Sequence, residues 1–346
     1  MEAGAARLKP AGRRDTLSRR SPAARRADGV FRGGLTALAG LVLVLLAFFF
    51  VFLVVKARPA LAHQGVLSFV TSNDWNPSKD VFGAWPLLAG TLITSATALV
   101  IGVPVAVATA LFITEISPPR LRQPLTILVE LLAAVPSVVY GLWGVFVLIP
   151  KLRGTEQSFS DTLHFLPFIG GNVAGPNYFI AGLLLAIMIL PIVSAISREV
   201  IATVPAEHKE AALAVGATRW EMIRIAVLPY SRSGITGAAL LGLGRAVGET
   251  IAVVLVIGNS PVVGKQLFDQ GYSLAAVIAN EFGEAANDPL HAGALIAAGL
   301  LLFILTLAIN GVARGLVIRA EGRQGTRLPP PAVTAAALND PEAATS

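Results

Sequence analysis

The chain has no cysteine, which excludes disulfides and thiolate metal sites. Its four histidines, at 63, 164, 208 and 291, are scattered and show no metal-ligand spacing. Catalytic signatures are missing too: there is no His-Glu-x-x-His zinc motif and no Gly-x-Ser-x-Gly elbow. The nearest phosphate loop, "GNSPVVGKQ" from Gly258 to Gln266, fails twice. Five residues rather than four separate its glycines, and Gln266 stands where a Ser or Thr would hold magnesium. The chain is therefore expected not to be an enzyme, to hold no metal or cofactor of its own, and not to hydrolyse ATP by itself.

Charge is also scarce. Only 14% of the residues are charged and 54% are hydrophobic, where soluble domains run near a quarter charged. This is a membrane composition. A bilayer core takes about 20 apolar residues per helix, and six stretches qualify: 33–55, 87–113, 124–149, 178–197, 233–257 and 291–318. The expected fold is an all-α polytopic membrane protein with six transmembrane helices. Pro104, Pro136 and Pro191 fall inside spans, which membrane helices tolerate when neighbours satisfy the freed carbonyls.

The basic residues set the expected topology. With the N-terminus inside, 20 Lys and Arg lie in cytoplasmic segments, counting Arg314 at the inner end of 291–318, and 6 in external ones, leaving Arg245 alone in the interior of a span. The positive-inside rule then puts both termini in the cytoplasm. The net charge of +6 is thus explained by topology, and no nucleic-acid partner is expected. Residues 1–32 read as a basic disordered cytoplasmic arm, 33–86 as a first span with an external loop, and 87–318 as the main transmembrane domain. Residues 319–346 read as a disordered cytoplasmic tail. "ALA" at 60–62 is similar to a signal-peptidase site, but the apolar run before it exceeds the usual 7–15 residues, so the first span is read as uncleaved.

Between the fourth and fifth spans lies "VPAEHKEAALAVGATRWEMIRIAVLPYSRSGI", Val204 to Ile235. Pro205 suits a helix start, and Glu207, Glu210 and the alanines favour propagation. Gly216 breaks the helix, a second short one runs from about Thr218, and Pro229 ends it. The result is a knob on the cytoplasmic face. Physics alone leaves two roles open: docking a partner, or an interfacial helix resting on headgroups with Trp220, Ile223 and Val227 toward lipid.

"EAALAVGATRWEMIRIAVLP" resembles the EAA motif of ABC importer permeases, with Glu210, Ala211 and Ala212, then Gly216, then Leu228-Pro229. The resemblance implies that this helix docks in a groove of an ATPase subunit, with Ala211 and Ala212 allowing close approach and Gly216 the sharp turn. "GTLITSATALVIGVPVAVATALFITEISP" (90–118), "ELLAAVPSVVYGLWGVFVLIP" (130–150) and above all "GLGRAVGETIAVVLVIGN" (242–259) look like the PstC type of phosphate permease. That implies the type I ABC importer permease fold in a bacterial plasma membrane. It also implies four partner subunits and an inorganic phosphate substrate: a PstA-like second permease, two ATPase subunits that bind ATP and magnesium, and an extracytoplasmic phosphate-binding protein. Sulfate and molybdate permeases are the nearest alternative, disfavoured by Thr250 where they tend to Phe. A self-sufficient anion channel is the alternative from another class, and it would have no use for the knob.

Arg245 and Glu249 are the charges to explain. Near a span centre each costs about 2.5–3.5 kcal/mol on insertion scales. A spacing of four would place them on one helical face, a turn apart. They are either a self-neutralising structural pair or pathway groups facing a cavity, and intramembrane charge favours the second. Arg245 would attract phosphate, Glu249 would limit how tightly it is held, and Thr250 could add a hydroxyl. Glu130 is either gating machinery or a residue buried with a partner in the bundle. Glu115, at a helix end, is expected to be solvated. Tyr140 and Trp143 are expected in an aromatic interface belt.

Overall fold

Apolar runs of 25 or more residues are too long for strands, and in lipid only a helix satisfies their backbone within one segment. The computed structural model follows that rule. It describes residues 22–162, 170–171, 173 and 175–322; most of the basic arm and the tail beyond 322 lie outside the described residues. The first helix, α1, runs Pro22–Gln64, so residues 22–32 of the arm are helical rather than irregular. Residues up to Val55 form one unit, and there the large apolar side chains of α1 other than Leu53 are exposed, as lipid contact requires.

The second unit begins at Lys56. A short helix α2 (Val66–Thr71) leads to a two-stranded antiparallel hairpin, β1 (Trp75–Asn76) and β2 (Val81–Phe82), in the register Trp75↔Phe82. Then follow α3 (Trp85–Leu111), α4 (Pro119–Ala133), α5 (Ser137–Trp143), α6 (Ile149–Thr162) and α7 (Tyr178–Ala202). The rest comprises α8 (Ala206–Ala214), α9 (Arg219–Met222), α10 (Leu228–Gly248), α11 (Ile251–Val256), α12 (Leu274–Glu281) and α13 (Pro289–Gly322).

The core is the seam between α3 and α7, the most extensive helix contact, with α10 laid against both. Small residues make the seam close. A Cβ on Gly182 would stand 2.5 Å from the Thr97 Cβ, and one on Gly102 would stand 3.0 Å from the Ala186 carbonyl oxygen. Ala98, Ala106, Ala181 and Ala186 are buried beside them. Helices in lipid gain from such van der Waals approach because water exclusion cannot drive them together.

Among the described residues, four unbroken helices are long and apolar enough to cross a bilayer, and a fifth span arises if α4 and α5–α6 are taken together. That pair is bent by 88°. The expected span 233–257 is not one helix. It is α10 and α11 divided at Glu249 and Thr250, with Glu249 in extended backbone (φ −72°, ψ 130°). The physical reason is composition: α10 carries Arg245 and several Gly and Ser residues, which lower its apolarity and its helix propensity.

At the hairpin end, Glu281 ties three elements. Its carboxylate accepts from Trp75 Nε1 at 2.9 Å and lies 3.0 Å from His291 Nε2, while the His291 ring stacks on Phe82.

Candidate functional site

The bend between α4 and α5 has a local cause. Pro136 has no N–H, so the Leu132 carbonyl loses its helical partner four residues on. The Tyr140 hydroxyl, a further turn along, donates to that carbonyl at 2.7 Å. Tyr140 is thus buried in the bundle, not an aromatic belt residue, because the bend needs its hydroxyl inside. Trp143, by contrast, is exposed.

The second break meets the first. A Cβ on Gly141 of α5 would stand 3.2 Å from the Ala252 Cα of α11, so only glycine permits this approach. Arg245 lies in the last turn of α10, where the helix dipole favours a cation. It is within electrostatic reach of the Tyr140 hydroxyl. Gly244 and Gly248 beside it have open space where a Cβ would be.

Arg245 and Glu249 do not share a helical face, because the helix ends at Gly248 and Glu249 turns into extended backbone. Ion pairs join Arg198 to Glu130, Lys209 to Glu115 and His291 to Glu281, and neither Arg245 nor Glu249 has an ion partner among the described residues. Arg245 is exposed in the single chain, and Glu249 and Thr250 are partly so. The Thr250 hydroxyl lies 3.4 Å from the Gly248 carbonyl oxygen across the break.

The 205–230 segment forms the expected knob with one change. Helix α8 ends in a glycine cap: Gly216 has φ +88°, its N–H bonds Leu213 O at 3.0 Å, and Ala217 N–H bonds Ala212 O at 3.2 Å. Thr218 then opens α9 in a capping box with Glu221. Pro229 does not end this helix. A wide π-type turn over Ile223–Val227 absorbs the proline ring, and the helix continues from Arg219 to Gly248. The knob's second helix and the helix carrying Arg245 are therefore one run.

The motif residues divide. Glu210, Ala211 and Gly216 are exposed, as are Leu213, Val215 and Trp220. Ala212 is buried, packed inward with Ala110, Leu111, Ile201, Met222, Ile223 and Val227. Its small side chain lets α8 approach its own bundle rather than a partner. Glu130 pairs with Arg198 at 3.1 Å, and Arg198 also donates to the Thr126 hydroxyl. Glu115 is not solvated: its carboxylate lies 2.6 Å from Lys209 Nζ and its side chain is only 9% exposed. No local spacing announces this contact, since 94 residues separate the partners. The Pro136–Tyr140 device does have a signal, in residues 132, 136 and 140 each four apart.

Residues 102–321 match the family of binding-protein-dependent transport system inner membrane components. Among curated proteins, the phosphate transport system permease protein PstC of Mesorhizobium japonicum is 44% identical over 303 residues, covering 86% of this chain and 92% of that one. PstC 2 of Mycobacterium tuberculosis is 44% identical over 301 residues, covering 85% and 92%. Among solved structures, a bacterial alginate ABC transporter in complex with its alginate-bound periplasmic protein aligns with TM-score 0.60 at 18% identity, covering 85% of this chain and 96% of that one.

Proposed function

The chain belongs to the binding-protein-dependent transport inner membrane components, and from that premise we propose that it is the transmembrane permease subunit of an ATP-driven inorganic phosphate importer. It is a transporter component of the inner membrane with the type I ABC permease fold. The full-length likeness to PstC proteins supports phosphate as the substrate. One observation carries the pathway: Arg245 stands exposed and without an ion partner among the described residues, at the break between α10 and α11, inside the expected span 233–257. Facing lipid, it would cost about 2.5–3.5 kcal/mol for no gain. Irregular backbone at membrane depth is tolerated only against protein or a water-filled cavity.

In this reading Arg245 attracts the phosphate mono- or dianion, its planar fork matching two phosphate oxygens. Glu249 limits the attraction and accepts from a protonated phosphate oxygen, so the anion can leave as well as enter. Thr250 lines the same break. The knob faces the cytoplasm with both termini, following the basic-residue bias, and its exposed Glu210, Ala211 and Gly216 dock an ATPase subunit. Because α9 and α10 are continuous, a push on the knob moves the helix that ends beside Arg245. A PstA-like permease supplies the other half of the pathway, two ATPases bind ATP and magnesium, and an extracytoplasmic protein delivers phosphate.

The test is ATP-dependent uptake by the reconstituted complex, comparing radiolabelled phosphate with sulfate. Phosphate uptake that needs ATP supports the reading. Preference for sulfate would assign the substrate to the neighbouring permease class, and uptake by this chain without ATPase would mark a channel.

A further inference from the structure

Among the charged side chains outside the pathway, the Lys209–Glu115 pair joins two elements that otherwise share one apolar cluster. Lys209 projects from α8, one residue before Glu210 of the exposed motif face. Glu115 sits in the wide turn Phe112–Ile116 that closes α3. Their charged atoms are 2.6 Å apart, and the two side chains are 23% and 9% exposed. The apolar contact nearby is made by Ala110 and Leu111 of α3 with Ala212 of α8 and with Met222, Ile223 and Val227 beyond it. Small apolar surfaces attract without direction and can slide. A charge-assisted hydrogen bond fixes register.

The knob's other leg needs no such device, because α9 continues into α10 through the backbone. Helix α3 has no short covalent route to the knob: α4, α5, α6 and α7 intervene. The pair borders an open cleft of 480 Å³ between α4, α7 and the end of α3, also lined by Arg122, Thr126, Arg198 and Glu199. At the rim of this cleft the ion pair is the polar, directional link between α8 and the turn that closes α3.

We propose that Lys209 and Glu115 form a strut that makes the end of α3 move with α8, so that the core α3–α7 seam follows the knob together with α10. Both are positioning residues: they touch neither phosphate nor ATP. The inference rests on reading the knob as the ATPase-docking element.

The experiment uses the complete complex and two readouts. The first is phosphate transported per ATP hydrolysed. Lys209→Gln and Glu115→Gln should retain ATPase subunits and hydrolysis but lower this ratio at least about tenfold, the equivalent of 1.4 kcal/mol. The exchange Lys209→Glu with Glu115→Lys should restore it to within about threefold. The second readout is the spin-label distance between Thr109→Cys and Leu213→Cys, possible because the chain has no cysteine. Without the mutations, this distance should be the same with and without trapped ATP; in Glu115→Gln it should broaden or change. An unchanged ratio in both neutral variants, loss of ATPase subunits in them, or an exchange no better than the reversed single mutants would overturn the strut. The distance readout does not involve phosphate. A parent complex that transports no phosphate but keeps a fixed distance would therefore refute the substrate reading and leave the strut supported.

Discussion

Replacing Tyr140 by Phe keeps a packed ring and deletes one hydroxyl. That hydroxyl is the partner of the Leu132 carbonyl at 2.7 Å, and Pro136 is the reason no amide serves instead. Tyr140 is 8% exposed, so water does not readily replace the lost donor. A buried acceptor left unpaired costs about 1–3 kcal/mol. In a Pro136→Ala background an N–H returns four residues after Leu132, and the same deletion should cost less. A coupling of about 1 kcal/mol between the two positions is expected for groups sharing one acceptor. The assay is a double-mutant cycle on reversible unfolding in mixed SDS–detergent micelles, followed by circular dichroism. Additivity within about 0.3 kcal/mol would refute the account of the bend.

At Gly216 the backbone is left-handed but a Cβ would meet nothing within 4 Å, so any cost is conformational alone. Gly216→Ala should lose about 1 kcal/mol and keep its ATPase subunits, whereas β-branched Gly216→Val should lose them or their coupling; normal copurification and uptake in the valine variant would contradict the docking role. For orientation, cysteines placed at positions 79 and 265 should react with an impermeant maleimide in intact spheroplasts and one at 210 should not; the reverse pattern would invert the topology.

Much of this fold was legible because lipid makes backbone satisfaction a local matter. A long apolar run is a helix almost regardless of its neighbours, so α3, α7 and α13 lie where hydropathy puts them. The knob was legible through Gly216 and Thr218, whose caps are short-range chemistry. Breaks and long-range pairs were harder. Arg245 and Glu249 looked like one helical face because nothing in their spacing says that the helix stops at Gly248. Pro229 looked like a terminator because the π-type turn that accommodates it depends on Ile223 and Val227 packing against α3 and α7. Ala212 carried the right motif, yet tertiary packing turned it inward. Glu115 was read as solvated because its partner is 94 residues away, beyond any local pattern.

The claim that Arg245 serves the anion is tested most directly by phosphate uptake in Arg245→Gln. Neither Arg245 nor Glu249 has an ion partner among the described residues, so the substitution leaves no broken pair behind. Hydrogen bonds to charged groups contribute about 1.5–3 kcal/mol, so uptake should fall roughly 10- to 150-fold while the docked ATPases continue to hydrolyse ATP. The double variant Arg245→Gln, Glu249→Gln should express well and remain equally impaired. Parental uptake in the single variant, or its recovery in the double, would contradict the account and leave Arg245 a structural charge.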